Sequence, residues 1–394
     1  MKKAVKFLSV LLTLCVIISS SVIGSSAVSY PNNVKTMSDS ILLVNMDTGE
    51  PVYEKDADSK RYPASTTKIM TYIVVVENID DLDNTRVSIK KSIIDQLKDT
   101  GSSLANVGDH VGETMSVIDL LYSMMVPSGN DAAMVLADYV GDGDILKFVQ
   151  MMNDKAKELG MKNTCFKNSH GIDEEGHYTT AKDIAIMSRE LITKHPDILK
   201  YTSIWQDTLR DGTFGLNSTN KLIRFYEGAT GLKTGSTSQA LFNLSGTATR
   251  NGTSFIAVVM RAPSSAVRLE EVKQLLDYGF ANYEVKNVCE KGVVTGSINV
   301  NKCVNQSFEV AIKDGVTILA DKGAKIDTVE KITYNDNLIA PISNGDEVGN
   351  IEIFNKDTNE KIGESKLIIL KDVPKSNLVD YIKEAARFYL INKG

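Results

Sequence analysis

Ser65 and Lys68 stand three residues apart in Pro63-Ala64-Ser65-Thr66-Thr67-Lys68, a spacing that puts hydroxyl and amine on one face of a helix. A serine becomes a nucleophile only when a base takes its proton. An amine can be that base only when neutral, so Lys68 needs burial or cationic neighbours to lower its pKa. The positive end of a helix dipole near Ser65 would also disfavour the ammonium. Alone the pair says little, because Ser88 and Lys91 repeat the spacing in the polar stretch Val87–Lys91, which reads as a solvated face.

What separates the two pairs is company. Ser128-Gly129-Asn130 interrupts a helical stretch and offers a second hydroxyl, able to relay a proton, and an amide able to donate and accept. Lys233-Thr234-Gly235 falls on a strand, where a cation and a hydroxyl can bind a carboxylate and glycine lets a substrate approach the backbone. An edge strand there could also pair with an extended peptide. Each triplet taken singly reads as structural, a turn and a strand surface. In this order, together, they form the penicillin-binding signature.

These groups need elements to hold them. Ser40–Asn45 and Val52–Tyr53 are β-rich runs around the turn Asp47-Thr48-Gly49-Glu50, so the domain opens with a hairpin, and a helix starts near Ser65. From Ser116 to Val140 the pattern is helical, and Thr180 with Asp183 resembles a capping box. Lys233–Ser236, Leu241–Ala248 and Ser254–Met260 read as strands, the last two joined across Asn251-Gly252, and a helix closes the domain at about 267–283. Strands at both ends with helices between predict one sheet covered by helices, an α+β domain over residues 28–285. Residues 286–371 alternate Val, Ile and Thr with polar residues and turn signals, a small all-β domain.

Residues 372–394 return to helical periodicity after Pro374, with Leu378, Ile382, Ala385 and Tyr389 on one face and Lys375, Lys383, Arg387 and Lys393 around it. Such an amphipathic helix suits an anionic membrane surface; the alternative is a helix docked on its own protein. Residues 1–27 read as a signal peptide, with Lys2, Lys3 and Lys6 before an apolar run and small residues ending at Ala27. Its removal takes three lysines and no acid, so the formal charge falls from −6 to −9, an acidic balance that argues against nucleic acid. Cys165, Cys289 and Cys303 are too few for a disulfide scaffold, and whether Cys289 and Cys303 pair stays open. His110, His170, His177 and His195 occur without an H-E-x-x-H pattern, so neither a metal nor another cofactor is expected.

The surroundings of the motifs make a resemblance specific. Pro63–Thr71 (PASTTKIMT), Leu120–Ala133 (LLYSMMVPSGNDAA), Gly231–Thr237 (GLKTGST), and Asn168–Asp173 followed by His177 and Thr179–Ala181 are similar to the serine D-Ala-D-Ala carboxypeptidases, the low-molecular-mass penicillin-binding proteins. The resemblance spans the mature chain. It implies a β-lactamase/transpeptidase-like catalytic domain, a C-terminal β-sandwich, and peripheral attachment to the outer face of the cytoplasmic membrane. It implies peptidoglycan stem peptides ending in D-Ala-D-Ala as substrate and covalent inhibition by penicillin and other β-lactam antibiotics. Carried onto this chain, it makes Ser65 the acylated nucleophile, Lys68 the general base and Ser128 a proton relay, with Asn130 positioning the substrate amide. Lys233 and Thr234 would bind the terminal carboxylate beside Gly235, and backbone N–H groups of Ser65 and Ser236 would form the oxyanion hole. Arg261 and Arg268 are further carboxylate-binding candidates by position, but either could equally pair with Glu270 or Glu271, so neither is counted among the site residues.

Two other readings share the fold. A serine β-lactamase uses the same acylation chemistry but deacylates fast; Gly129 stands where many such enzymes carry aspartate, and Glu174 and Glu175, the acids that could drive deacylation, lie in a Gly-flanked loop. A silent peptidoglycan-binding protein would not need Ser65, Lys68, Ser128 and Lys233 together.

Overall fold

The computed structural model describes residues 34–98, 100–209, 212, 214–304 and 307–391; the signal-peptide reading lies outside them. Strand β1 (Ser40–Asn45) and strand β2 (Pro51–Lys55) form the opening hairpin, turned at Asn45, whose Oδ1 accepts from the backbone of Asp47 and Thr48. A 3₁₀ turn over Ala64–Thr67 leads into helix α1 (Lys68–Glu77), of which Lys68 through Val75 are buried. A helix apolar on every face belongs in the interior, and α1 is packed among α2 (Val117–Met125), α3 (Asn130–Val140), α4 (Ile145–Glu158) and α5 (Ala181–Lys194).

Strands β3 (Ala229–Thr237), β4 (Leu241–Arg250) and β5 (Thr253–Ala262) complete an antiparallel sheet of order β2-β1-β5-β4-β3, so the chain's first strand pairs with β5 across more than 200 residues and β3 is an edge. The β4–β5 turn has Asn251 at φ 50° and Gly252 at φ 77°, two left-handed residues as a tight hairpin needs. Helix α6 (Ser265–Asn282) is capped by Ser264, whose hydroxyl accepts from Val267 N, and packs on β4 and β5. Its buried Glu271 accepts from the backbone and hydroxyl of Ser38, pinning the start of the described chain.

The sequence reading of the capping box holds by half. Thr180 Oγ1 accepts from Asp183 N at 3.0 Å, but Asp183 turns its own carboxylate to Asn163 N and Thr164 Oγ1 at 3.0 and 2.7 Å.

The second domain follows α6 without a linker. Strand β6 (Tyr283–Cys289) starts at the residue after the helix and pairs with β9 (Val316–Asp321). The strands β7 (Val294–Asn299), β8 (Ser307–Ile312), β12 (Lys361–Ile369), β11 (Glu347–Asn355) and β10 (Thr328–Tyr334) lie side by side in that order as the larger sheet. Across the joint, Val285 N donates to Thr253 Oγ1 at 3.2 Å, and Lys322 donates from its backbone to Asn282 O and from Nζ to Phe280 O, both at 2.8 Å. Cys289 is buried and carries a free thiol, which burial pushes up; Cys303 donates to Val300 O. Helix α7 (Leu378–Ile391) follows, and no helix among the described residues is long and apolar enough to cross a membrane.

Candidate active site

Ser65 lies in the 3₁₀ turn rather than in a regular helix, and this tightens the pairing, since i and i+3 eclipse in a 3₁₀ turn. Thr66 Oγ1 donates to Pro63 O at 2.7 Å and fixes the turn, while Thr67 Oγ1 meets His177 Nε2 at 3.1 Å. Gly171 presses on the turn from outside. A Cβ there would fall 1.9 Å from Ala64 O, and its φ of 96° suits glycine alone.

Lys68 has no exposed surface. Its Nζ donates to Ser65 Oγ at 3.0 Å, to His170 O at 2.8 Å and to Asn130 Oδ1. Burial pushes its pKa well below the lysine range, the Lys233 charge pushes the same way and Asp131 opposes. The rival pair is unlike it: Ser88 is an exposed strand residue and Lys91 pairs with Asp95 in solvent.

Ser128 sits at φ 68°, a left-handed position unfavourable for a residue with a Cβ, and this turns its hydroxyl from one helix end towards the sheet. Asn130 opens α3, and its N–H donates to Ser103 O at 2.9 Å. Next to it the buried Asp131 accepts from Ala105 N and Val107 N, both at 2.9 Å, and so clamps loop 100–107 against the site.

On β3, Lys233 is buried and donates to Ser128 Oγ at 2.8 Å and to Thr234 O at 3.2 Å. Burial, with Arg268 adding repulsion, brings its pKa down to about 7. Thr234 Oγ1 lies 2.7 Å from Thr219 Oγ1. Gly235 lets the strand pass the nucleophile's turn, since a Cβ there would come within 2.8 Å of Ser65 N.

Two cavities meet at Ser65 and Ser236. One, of about 330 Å³, is lined by Ser128, Thr219, Thr234 and Arg268 among others; the second, of about 380 Å³, by Ser103, Asn130, Gly171, Asp173 and Thr237. The structure therefore brings together all eight residues singled out by sequence, with Ser128 bonded to Lys233 and Ser65 to Lys68. Of the two arginines, Arg268 reaches the first cavity, donating to Asn243 O at 3.1 Å, whereas Arg261 pairs with Asp39 at 3.3 Å. Asp131 and Asp173 lie inside stretches that carry the resemblance but were given no role there, and Ser103 and Thr219 carried no signal in sequence, because each is an ordinary polar residue made relevant by distant chain segments.

Burial pushes His170 and His177 down to about 3 and 4, so both imidazoles are neutral. They are placed as structural groups around the nucleophile's turn.

Comparison with known proteins is consistent across the chain. The family described as D-alanyl-D-alanine carboxypeptidase matches residues 26–264, and that described as penicillin-binding protein 5, C-terminal domain, matches residues 283–375. The D-alanyl-D-alanine carboxypeptidase DacF of Bacillus subtilis is 36% identical over 352 residues, 87% of this chain and 88% of that protein. DacD of Escherichia coli is 31% identical over 359 residues, 88% and 90% of the two chains. Penicillin-binding protein 5 from Haemophilus influenzae has a crystal structure that superposes with a TM-score of 0.71 at 30% identity, covering 86% of this chain and 98% of its own.

Proposed function

The chain belongs to the D-alanyl-D-alanine carboxypeptidase family and is a serine-type carboxypeptidase of the penicillin-binding kind, and from that premise we propose how its residues carry the reaction. The observation that carries the proposal is the dry, fully bonded Lys68. Asn130 Oδ1 and His170 O can only accept, so when Lys68 gives up the proton it shares with Ser65 Oγ they hold its two remaining N–H bonds, and the freed lone pair faces Ser65 Oγ. Lys68 is then the general base that a buried, depressed amine can be.

Ser65 Oγ attacks the carbonyl of the penultimate D-alanine, and its proton passes to Lys68. The backbone N–H groups of Ser65 and Ser236 receive the oxyanion. Collapse breaks the C–N bond; Ser128 gives its hydroxyl proton to the departing amine of the terminal D-alanine and takes in return the proton that Lys68 removed from Ser65, so Lys68 is neutral again for the water step. Lys233, which already holds Ser128 Oγ, keeps that hydroxyl aimed and, with Thr234 and Gly235's open backbone, seats the terminal carboxylate. Arg268 adds positive potential behind the same cavity. Asn130 orients the substrate amide while holding Lys68. Water activated by Lys68 hydrolyses the ester and restores Ser65.

Peptidoglycan stem pentapeptides are the substrate, and trimming them limits cross-linking during wall growth. A β-lactam ring presents the same carbonyl and carboxylate to the same groups, so it acylates Ser65. Glu174 and Glu175, the acids a fast β-lactam hydrolase would draw on, are exposed. We place the enzyme outside the cytoplasmic membrane after removal of residues 1–27, with α7 lying on the membrane surface. Leu378, Val379 and Ile382 expose 75, 56 and 59% of their surface on that helix, an apolar face that water does not favour.

Purified protein lacking residues 1–27 is incubated with penicillin for intact-mass analysis, and with diacetyl-L-Lys-D-Ala-D-Ala for D-alanine release. A lasting adduct on Ser65 with D-alanine release supports the reading. Covalent penicillin or D-alanine release persisting in Ser65→Ala overturns it.

A further inference from the structure

The second cavity has a carboxylate that the reaction above does not use. Asp173 lines it with Ser103, Gly171, Ser236 and Thr237, and it is half-buried. Its Oδ1 accepts from Thr237 Oγ1 at 2.7 Å and its Oδ2 from Gln239 N at 3.2 Å. Among the described residues both donors are neutral and no lysine or arginine pairs with it, so its charge faces the cavity uncompensated. A carboxylate with two oxygens has further lone-pair sites open after two hydrogen bonds.

The register of β3 says which part of a substrate would arrive there. The strand is an edge, so an extended peptide can add to it. With the terminal carboxylate at Lys233 and Thr234 and the reacting carbonyl at Ser65, beside Gly235 and Ser236, the peptide runs antiparallel to β3. One residue advances about 3.4 Å along a strand. The third residue from the peptide's C-terminus therefore lies level with Thr237, whose hydroxyl is bonded to Asp173. The cleft is cationic at one end, where Lys221 and Arg268 line it and Lys233 lies buried behind Ser128, and anionic at the other, through Asp173.

Resting on the carboxypeptidase reading, we infer that Asp173 is a specificity-determining residue that selects peptides carrying a side-chain ammonium on the residue before D-Ala-D-Ala. Asp173 holds that cation while Lys233 holds the terminal carboxylate, so the peptide is fixed by a charge at each end. Peptides with a neutral or acidic side chain at that position are cleaved more slowly.

The test compares kcat/KM for Nα-acetyl-L-Lys-D-Ala-D-Ala, its Nε-acetylated counterpart and Nα-acetyl-L-Glu-D-Ala-D-Ala in wild type and Asp173→Asn. Wild type is expected to favour the free amine about fivefold over the acetylated peptide, the scale of a partly exposed ion pair. The ratio should fall to about one in Asp173→Asn, and because it is taken within one protein, general damage to the variant cancels. The preference of wild type should also shrink as salt rises. Equal rates for free and acetylated peptides in wild type, or an unchanged ratio in Asp173→Asn, overturns the inference. Failure of wild type to release D-alanine from any of the three overturns the carboxypeptidase reading instead.

Discussion

Replacing Lys233 by methionine should make the protein more stable and inactive, and the pH dependence of the gain tests why. In the folded protein the Lys233 pKa is brought from 10.5 down to about 7, chiefly by burial. That shift makes the fold a poorer host for the ammonium than the unfolded chain by about 5 kcal/mol. Losing the bonds to Ser128 Oγ and Thr234 O returns roughly 1–3 kcal/mol of that gain. At pH 6, Lys233→Met should therefore be the more stable protein by about 2–4 kcal/mol.

The sign of the pH dependence is fixed. Below pH 7 the lysine is charged in both states and its penalty is full. Above 7 the folded state sheds the proton while the unfolded chain keeps it, so wild type gains stability up to the unfolded value. The gap between the two proteins should close by roughly 3 kcal/mol between pH 6 and 9. Urea unfolding followed by the single tryptophan, Trp205, measures both curves in the catalytic domain. Parallel pH curves for variant and wild type would refute the reasoning.

The same groups shape catalysis. The pH profile of kcat/KM should fall on its alkaline side as Lys233 loses its proton near pH 7, and Lys233→Arg, charged throughout, should move that limb upward; a limb that stays put assigns it to another group. Gly235→Ala puts a Cβ 2.8 Å from Ser65 N and should slow penicillin acylation by about 100-fold. Stopped-flow acylation with circular dichroism separates that loss from unfolding, and wild-type rates would show that the turn yields freely.

Much of the fold was legible because period and punctuation are local. The hairpin at Asn251-Gly252, the helix closing the domain and the break at Pro127–Asn130 all fall where residue types demand them. The three catalytic motifs were legible because each packs its chemistry within four residues. What sequence did not reveal is pairing between motifs. That Lys233 rather than Lys68 holds Ser128 depends on how β3 lies against the start of α3, and that depends on the glycine at 235 and the strained backbone at 128. Asp131 escaped notice for the same reason, its partners at 105 and 107 lying far back along the chain.

The joint between the domains has a mechanical consequence. Because Tyr283 enters β6 directly from α6, and Lys322 and Val285 lock the seam to Asn282, Phe280 and Thr253, no free dihedral run separates the two bodies. Turning one against the other means breaking backbone hydrogen bonds. The β domain therefore acts as a stiff lever: whatever surface its far end touches fixes the bearing of the cleft.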